Sequence, residues 1–246
     1  MKAACPSVRS QHVIQASARL AAAILLCGTT SLPAAALSAA DYAEPQAIHG
    51  WNVRIEKSLA DHPRRQAALD LLDRKLAEVE TLVPAATLPE LKAVPIWLSR
   101  DASRGACYHP SAGWLKENGR VVEMARSIEL QNIDNFIDWS PTQPLMVLHE
   151  LSHAWHHRVL PGGYDNPEIL AGFKQAEAGG KYAMVRHAGG TEKRHYALSN
   201  AMEYFAECSE AYFGKNDFQP FDRAELREFD PAGYALIEKC WKTSAR

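Results

Sequence analysis

The sequence predicts one α+β domain in which a small antiparallel or mixed sheet precedes a helical half. Apolar segments with strand-like alternation and a hairpin signal occur before residue 135, whereas helical spacing, helix caps and glycine stops dominate after it. The 246-residue chain is 47% hydrophobic and 23% charged, which is the balance of a globular protein that can bury one sizeable core.

The first forty residues differ in composition from the rest. They include basic residues but no acidic residue before Asp41, and an apolar, alanine-rich run ends in small residues. This pattern predicts a signal peptide over residues 1–40, cleaved before Asp41, with Ala36 as the second choice of cleavage site. The alternative is a membrane anchor, but the strongly apolar part, residues 20–27, is shorter than the about 20 residues that a span requires.

The remaining chain, residues 41–246, is expected to be a single secreted or periplasmic domain without stable membrane insertion. The net charge of −2 and the lack of a basic stripe argue against a nucleic-acid partner. Cleavage would leave Cys107, Cys208 and Cys240, and an oxidising compartment favours one disulfide among them, with the pair left open. The oligomeric state is also left open.

In the first half of this domain, the sequence predicts strands on either side of one helix. Residues 51–55 alternate like a short strand, and leucines at helical spacing predict a helix between Pro63 and Pro84. A second strand is expected at residues 93–99. Residues 41–90 could act as a propeptide, as a lid or as scaffold.

A hairpin is expected where Asn118-Gly119 lies between two apolar runs, because this pair favours a tight turn. Its second strand continues to residues 125–130. That strand is either an edge strand that pairs with an extended peptide or an ordinary internal strand.

The second half predicts four helices that begin at capping residues and end at Gly or Pro-Gly pairs. The predicted helices run from Ser140, with Gln143 in a capping box, to Pro161; from Asn166 to Gly179-Gly180; from Ser199 to Gly214; and from Asp230 onward.

The first of these helices contains the motif H-E-x-x-H, formed by His149, Glu150 and His153. Residues four apart share one face of a helix, so both imidazoles can face one ion. The intervening glutamate can reach a water molecule at that ion. A catalytic zinc site needs three protein ligands and one open position, so the motif supplies two of the three. The alternative is a helix with incidental histidines.

The third ligand is not expected within the same helix. In the longer pattern H-E-x-x-H-x-x-G-x-x-H, this chain has His156 at the glycine position and Val159 at the last histidine position. His156 points away from His149, and His157 lies too far along the axis, so neither is expected to be a ligand.

A better candidate lies on the helix that starts near residue 200. Glu203, Glu207 and Glu210 share one face of this helix. Glu203 could be the third ligand, and Glu207 could accept a hydrogen bond from a ligating imidazole. The alternative for this acidic face is a solvated helix side.

The pair "HELSH" and "EYFAE" resembles the Glu-type zincin metallopeptidases, as in the catalytic domain of anthrax lethal factor and its bacterial relatives. The resemblance covers residues 120–215 in pattern and only short motifs closely. It implies a zincin-like domain with one Zn²⁺ per chain, held by His149, His153 and Glu203. It also implies that Glu150 is the general base and that Tyr196 is a hydrogen-bond donor in the transition state.

The resemblance therefore implies a zinc-dependent endopeptidase that hydrolyses a peptide or protein substrate with a zinc-activated water. A zincin-fold binding protein and a small-molecule hydrolase on the same metal site are the alternatives, and the cleavage preference is left open. Tyr196 could instead be a core aromatic residue, and His187 or His195 could assist the reaction. His109 is not expected to be a ligand.

Overall fold

The computed structural model describes residues 37–242, which form a mixed α+β structure, as predicted at the level of fold class. The predicted signal peptide lies outside the described residues over positions 1–36. Among the helices of residues 37–242, none combines the length and apolarity that crossing a bilayer requires.

One mixed sheet lies in the N-terminal half. Its strands are β1 (Gln46–Ile48), β2 (Trp51–Ile55), β3 (Ile96–Leu98), β4 (Ala106–His109) and β5 (Ser127–Leu130). The strand order is β1-β2-β3-β5-β4, in which β2, β3 and β5 run parallel and the two outer strands run antiparallel to their neighbours. The strands expected at 51–55 and 93–99 are thus confirmed.

The helices surround this sheet and fill the C-terminal half. They are α1 (Arg65–Leu82), α2 (Leu88–Lys92), α3 (Ala112–Glu117), α4 (Ile133–Trp139), α5 (Met146–Arg158), α6 (Pro167–Gly179), α7 (Ala201–Phe213), α8 (Arg223–Phe229) and α9 (Pro231–Lys242). A small hairpin of β6 (Val185–Arg186) and β7 (Glu192–Lys193) lies between α6 and α7.

The main core lies on one face of the sheet. Ile96, Ile128 and Leu130 of the sheet belong to the same buried cluster as residues of α1, α5, α7 and α9. A smaller cluster, which includes Tyr42 and Trp97, covers the other face together with α3. The sheet is therefore buried on both sides, which explains why β3, β4 and β5 have no exposed residue.

The predicted hairpin at Asn118-Gly119 is wrong. Residues Ala112–Glu117 form α3, which is capped by Ser111 through a 3.2 Å hydrogen bond from the Trp114 N–H. Gly119 has φ of +63° just after this helix. Because a left-handed residue ends helices as readily as it turns hairpins, the Asn-Gly pair did not distinguish the two structures.

The strand at 125–130 is internal rather than an edge strand. It is β5, which pairs with β3 on one side and with β4 on the other, so β4 is the terminal strand. Strand order depends on contacts between distant segments, so the local pattern of residues 125–130 could not predict it.

The predicted start of the H-E-x-x-H helix at Ser140 is also wrong. Residues 140–145 form turns between α4 and α5, and α5 begins at Met146. The Gln143 side chain donates a 3.2 Å hydrogen bond to the buried Asp217 carboxylate instead of closing a capping box. A tertiary partner therefore replaced the local capping interaction.

The other helix boundaries follow the sequence more closely. Asn166 accepts hydrogen bonds from the N–H groups of residues 168 and 169 and caps α6, and Gly180 follows this helix at φ of +69°. Asp230 accepts from the Gly233 N–H at the start of α9. The cap of α7 is Asn200 and not Ser199, since its side chain accepts from the Glu203 N–H at 2.9 Å.

The expected disulfide is absent from the described residues. All three of Cys107, Cys208 and Cys240 are buried, and none of them forms a disulfide. They lie on three different elements, β4, α7 and α9. A cysteine count and a compartment do not determine pairing, because a disulfide also requires two Cα atoms within about 7 Å.

Candidate metal centre

Helix α5 carries the H-E-x-x-H motif through the interior of the protein. Its residues from Met146 to His156 are buried, and the helix packs against α7 and β4. A helix that is buried on all sides has no polar face, so its histidines and its glutamate need partners from neighbouring elements. Those partners come from α7 and from the backbone of β4.

Two histidines of α5 and one glutamate of α7 bring three ligand atoms together. The distances are 3.1 Å from His149 Nε2 to His153 Nε2, 3.1 Å from His149 Nε2 to Glu203 Oε2 and 3.3 Å from His153 Nε2 to the same oxygen. All three residues are buried and could hold a metal ion. The pairing joins residues 54 positions apart, from two different helices.

The size of this triangle can be compared with that of a metal site. Tetrahedral bonds of about 2.0–2.1 Å place neighbouring ligand atoms about 3.3 Å apart. The three observed distances lie close to this value. Two imidazole nitrogens and one carboxylate oxygen are also a donor set that Zn²⁺ accepts, so the residues present fit a zinc-sized ion.

The other nitrogen of His149 contacts the same face of α7. Its Nδ1 lies 2.7 Å from Glu210 Oε1 and 3.6 Å from Glu207 Oε1. The shorter distance is that of a hydrogen bond, so Nδ1 carries the proton and Nε2 presents a lone pair to the triangle. Glu207 was the residue predicted for this position, but Glu210, two turns beyond Glu203, is closer.

The Glu203 carboxylate is buried and ionised. Burial opposes its ionisation, but the neighbouring His153 and His149 outweigh burial and lower the pKa of Glu203 well below its ordinary value. Its position is determined by the first turn of α7, because its N–H is the group that the Asn200 side chain caps. The carboxylate is therefore available as an anionic ligand.

Glu150 lies beside the triangle, on the flank of α5 that faces β4. Its Oε2 accepts a 2.7 Å hydrogen bond from the Tyr108 N–H. Burial raises the pKa of Glu150, and the neighbouring imidazoles of His149 and His153 only partly offset this effect. A carboxylate with a raised pKa is suited to accept and return a proton.

Tyr196 lies on the other side of His149. It begins a short 3-10 helix, Tyr196–Ser199, just before α7, and its ring centroid is 6.4 Å from that of His149. The side chain is partly exposed, unlike the core aromatic residues. The structure thus brings the predicted donor next to the ligand triangle.

The remaining histidines of α5 lie outside the triangle. His156 is fully buried against Tyr164 and Phe205, and burial lowers the pKa of His156 to about 3, so it is neutral. The Nδ1 atom of His157 lies 2.9 Å from the Tyr108 hydroxyl. Neither histidine is among the three residues of the triangle.

Three histidines outside α5 have contacts of their own. His195 is buried and accepts the Ala197 N–H through Nδ1, 3.8 Å from a Glu207 oxygen. His187 lies in the small hairpin near Asp217. His109 points to the opposite face of the sheet, where it contacts Glu129.

A second group of possible ligands shares His149 with the first. It consists of His149, Glu207 and Glu210, all buried. The 2.7 Å contact between His149 Nδ1 and Glu210 is a hydrogen bond, and an N–H group cannot bind a metal ion. The group that includes His153 and Glu203 is therefore the better metal site.

Comparisons with known proteins add no relative to this description. No family model, no curated protein and no solved structure matches the chain.

Two features of this centre had no clear signal in the sequence. The Tyr108 contact uses a backbone N–H, which every residue except proline has, so residue type does not reveal it. Glu210 lies on the predicted acidic face, but the choice between it and Glu207 depends on how α5 and α7 cross.

Proposed function

We propose that the chain is a zinc-dependent peptidase with one Zn²⁺ held by His149, His153 and Glu203. The observation that supports this most is the buried triangle of three ligand atoms at 3.1–3.3 Å, with Glu150 beside it. The resemblance of "HELSH" and "EYFAE" to Glu-type zincins agrees with the same assignment. Three protein ligands leave one position of a tetrahedral site for a substrate or water.

Bound in this site, zinc would supply Lewis acidity, which activates water and polarises a carbonyl group. Glu150 would accept the proton of the attacking water and deliver it to the leaving amine nitrogen. The Tyr196 hydroxyl would donate a hydrogen bond to the oxyanion that develops on the substrate. The Glu210 carboxylate, with Glu207 near it, would hold His149 in the tautomer that directs Nε2 to the metal.

The proposed substrate is an extended peptide. β4 is the outer strand of the sheet and packs against α5, so its outer edge lies next to Glu150. An extended chain can add to such an edge by main-chain hydrogen bonds. The strand at 125–130, which was predicted to pair with the substrate, is internal to the sheet and cannot do so. We therefore assign substrate pairing to β4.

The decisive experiment is a peptide-library digest with the mature protein, with and without a zinc chelator. Cleavage should require zinc and should be lost in Glu150→Gln with its bound zinc retained. Glu117→Gln is the matched control, because Glu117 is an exposed glutamate on α3. Cleavage that persists in Glu150→Gln or in the chelator would refute the proposal.

The same digest separates the two alternatives. Stoichiometric zinc without cleavage of any peptide would favour a metal-containing binding protein or a small-molecule hydrolase. The absence of bound zinc after reconstitution would reject all three functions. The proposed export, to the periplasm or the outside, is tested by N-terminal sequencing of the cell-derived protein, which should begin at Asp41 or just after Ala36.

A further inference from the structure

The outer edge of β4 carries the backbone groups of two residues, one of which contacts α5. The Gln131 N–H donates to the Gly105 carbonyl and the Arg126 N–H to the His109 carbonyl, so both of these carbonyls face β5. Backbone groups alternate in direction along a strand, and the intervening Ala106 and Tyr108 groups therefore face the outer edge. The Tyr108 N–H accordingly reaches Glu150 Oε2 at 2.7 Å.

Tyr108 contacts α5 at two points. Its N–H donates to Glu150, and its hydroxyl lies 2.9 Å from His157 Nδ1, seven residues further along the same helix face. The side chain is buried with the main core. This double contact determines the position of β4 relative to α5 along the helix axis.

The opposite face of the sheet anchors the same strand. His109 Nε2 lies 2.8 Å from Glu129 Oε2 on β5, and Arg120 forms an ion pair with the same carboxylate. Ser99 donates a 2.6 Å hydrogen bond to the other oxygen of Glu129. Hydrogen bonds at Gly105 and His109 therefore join β4 to β5 both before and after Tyr108.

We infer that the backbone N–H of Tyr108 is a positioning group that holds the Glu150 carboxylate for proton transfer. The inference rests on the proposed peptidase function. A carboxylate that accepts a hydrogen bond through Oε2 keeps one rotamer, and its other oxygen remains for the attacking water. A base that is already oriented loses less conformational freedom when the reaction begins.

The test replaces only this N–H group. Incorporation of the α-hydroxy acid analogue of tyrosine at position 108 retains the phenol and converts the amide to an ester. We expect kcat to fall about 10- to 100-fold, with KM within about twofold of wild type and zinc content unchanged. The same replacement at Ala106 is the control, because it also removes one outer-edge N–H but not the contact with Glu150.

The outcomes decide between positioning and a general effect on the strand. A larger loss of kcat at position 108 than at position 106 supports the inference. Equal losses at both positions, or a loss at position 108 that resides in KM, would overturn it.

A second measurement needs neither activity nor a variant at position 108. In ¹⁵N-labelled wild-type protein loaded with zinc, the Tyr108 amide proton should resonate downfield and exchange slowly, and it should move upfield in Glu150→Ala. A Tyr108 amide that is unaffected by this substitution would refute the contact. If wild type cleaves no peptide, the proposed function is refuted. The amide data still show whether the Tyr108 N–H donates a hydrogen bond to Glu150.

Discussion

At the scale of single residues, the two carboxylates next to His149 are unequal. Glu210 Oε1 lies 2.7 Å from Nδ1, whereas the nearest Glu207 oxygen lies at 3.6 Å. A carboxylate that accepts from a ligating imidazole fixes its tautomer and raises its basicity. We therefore expect Glu210 to affect metal binding more than Glu207 does.

We predict that Glu210→Gln weakens zinc affinity about 10- to 100-fold, and Glu207→Gln less. Both substitutions keep the size of the side chain and remove one negative charge from the same buried face, so each is the control for the other. Competition with a zinc-binding dye measures the affinity. An equal loss in both variants would indicate a general charge effect instead of a specific hydrogen bond.

Tyr196 is the second residue whose role can be isolated. Its ring lies beside that of His149, but its hydroxyl is not a member of the ligand triangle. We predict that Tyr196→Phe keeps its zinc and lowers kcat by about 10²-fold or more, since one oxyanion donor is lost. Steady-state kinetics with metal analysis provides the measurement. Unchanged turnover would mean that Tyr196 contributes only to packing.

At the scale of elements, the start of α7 connects helix capping to the metal centre. Asn200 caps this helix through the N–H of Glu203, which is itself one of the three residues that could hold a metal ion. Loss of the cap would loosen the first turn of α7. The position of the Glu203 carboxylate therefore depends on a cap that contacts only its backbone N–H.

We predict that Asn200→Ala destabilises the protein by about 1 kcal/mol and weakens zinc binding. Ser199→Ala is the matched control, because the sequence favoured Ser199 as the cap and the structure gives that role to its neighbour. Denaturant unfolding and zinc titration measure the two effects. A larger effect from Ser199→Ala would support the original sequence-based assignment.

The strands β4 and β5 are joined by a buried charged group on the sheet face opposite the metal centre. Burial opposes the ionisation of Glu129, but hydrogen bonding with His109 and the charge of Arg120 outweigh it and lower the pKa of Glu129. A carboxylate whose pKa is depressed by folding adds stability above its unfolded pKa, and this stability disappears as the pH falls through the folded value.

We therefore predict that wild type is more stable than Glu129→Gln at neutral pH and that the difference shrinks as the pH falls below 4.5, the ordinary pKa of this carboxyl. Urea unfolding at a series of pH values measures it. A stability difference that stays constant from pH 7 to acid would contradict the assigned ionisation.

At the scale of the whole molecule, the ligand triangle joins two helices from different parts of the chain. His149 and His153 lie on α5, and Glu203 lies on α7, which packs against it. The unfolded chain does not hold these three atoms together. Metal binding should therefore favour the folded state.

We predict that zinc raises the midpoint of thermal unfolding, by an amount that corresponds to about 2.7 kcal/mol when free zinc is 100 times its Kd. Calorimetry with zinc and with a chelator measures this change. Glu203→Ala should show little response to zinc. A response equal to that of wild type would mean that the stabilising metal binds elsewhere.

The parts of this protein that could be predicted from sequence are local. Two histidines four apart lie on one helix face whatever the tertiary structure, and so do the glutamates of α7. The strands β2 and β3, the caps Asn166 and Asp230 and the general α+β class follow from patterns within a few residues. These predictions were confirmed because short-range geometry determines them.

The tertiary structure decided the features that join distant segments. It placed β5 inside the sheet, left the three cysteines without a disulfide, and gave Gln143 a buried partner in place of a helix cap. It also decided that Glu210 is nearest to His149 Nδ1 and that a backbone N–H of β4 meets Glu150. Such contacts depend on how elements pack, and main-chain groups are the same in almost every residue, so residue types alone do not reveal them.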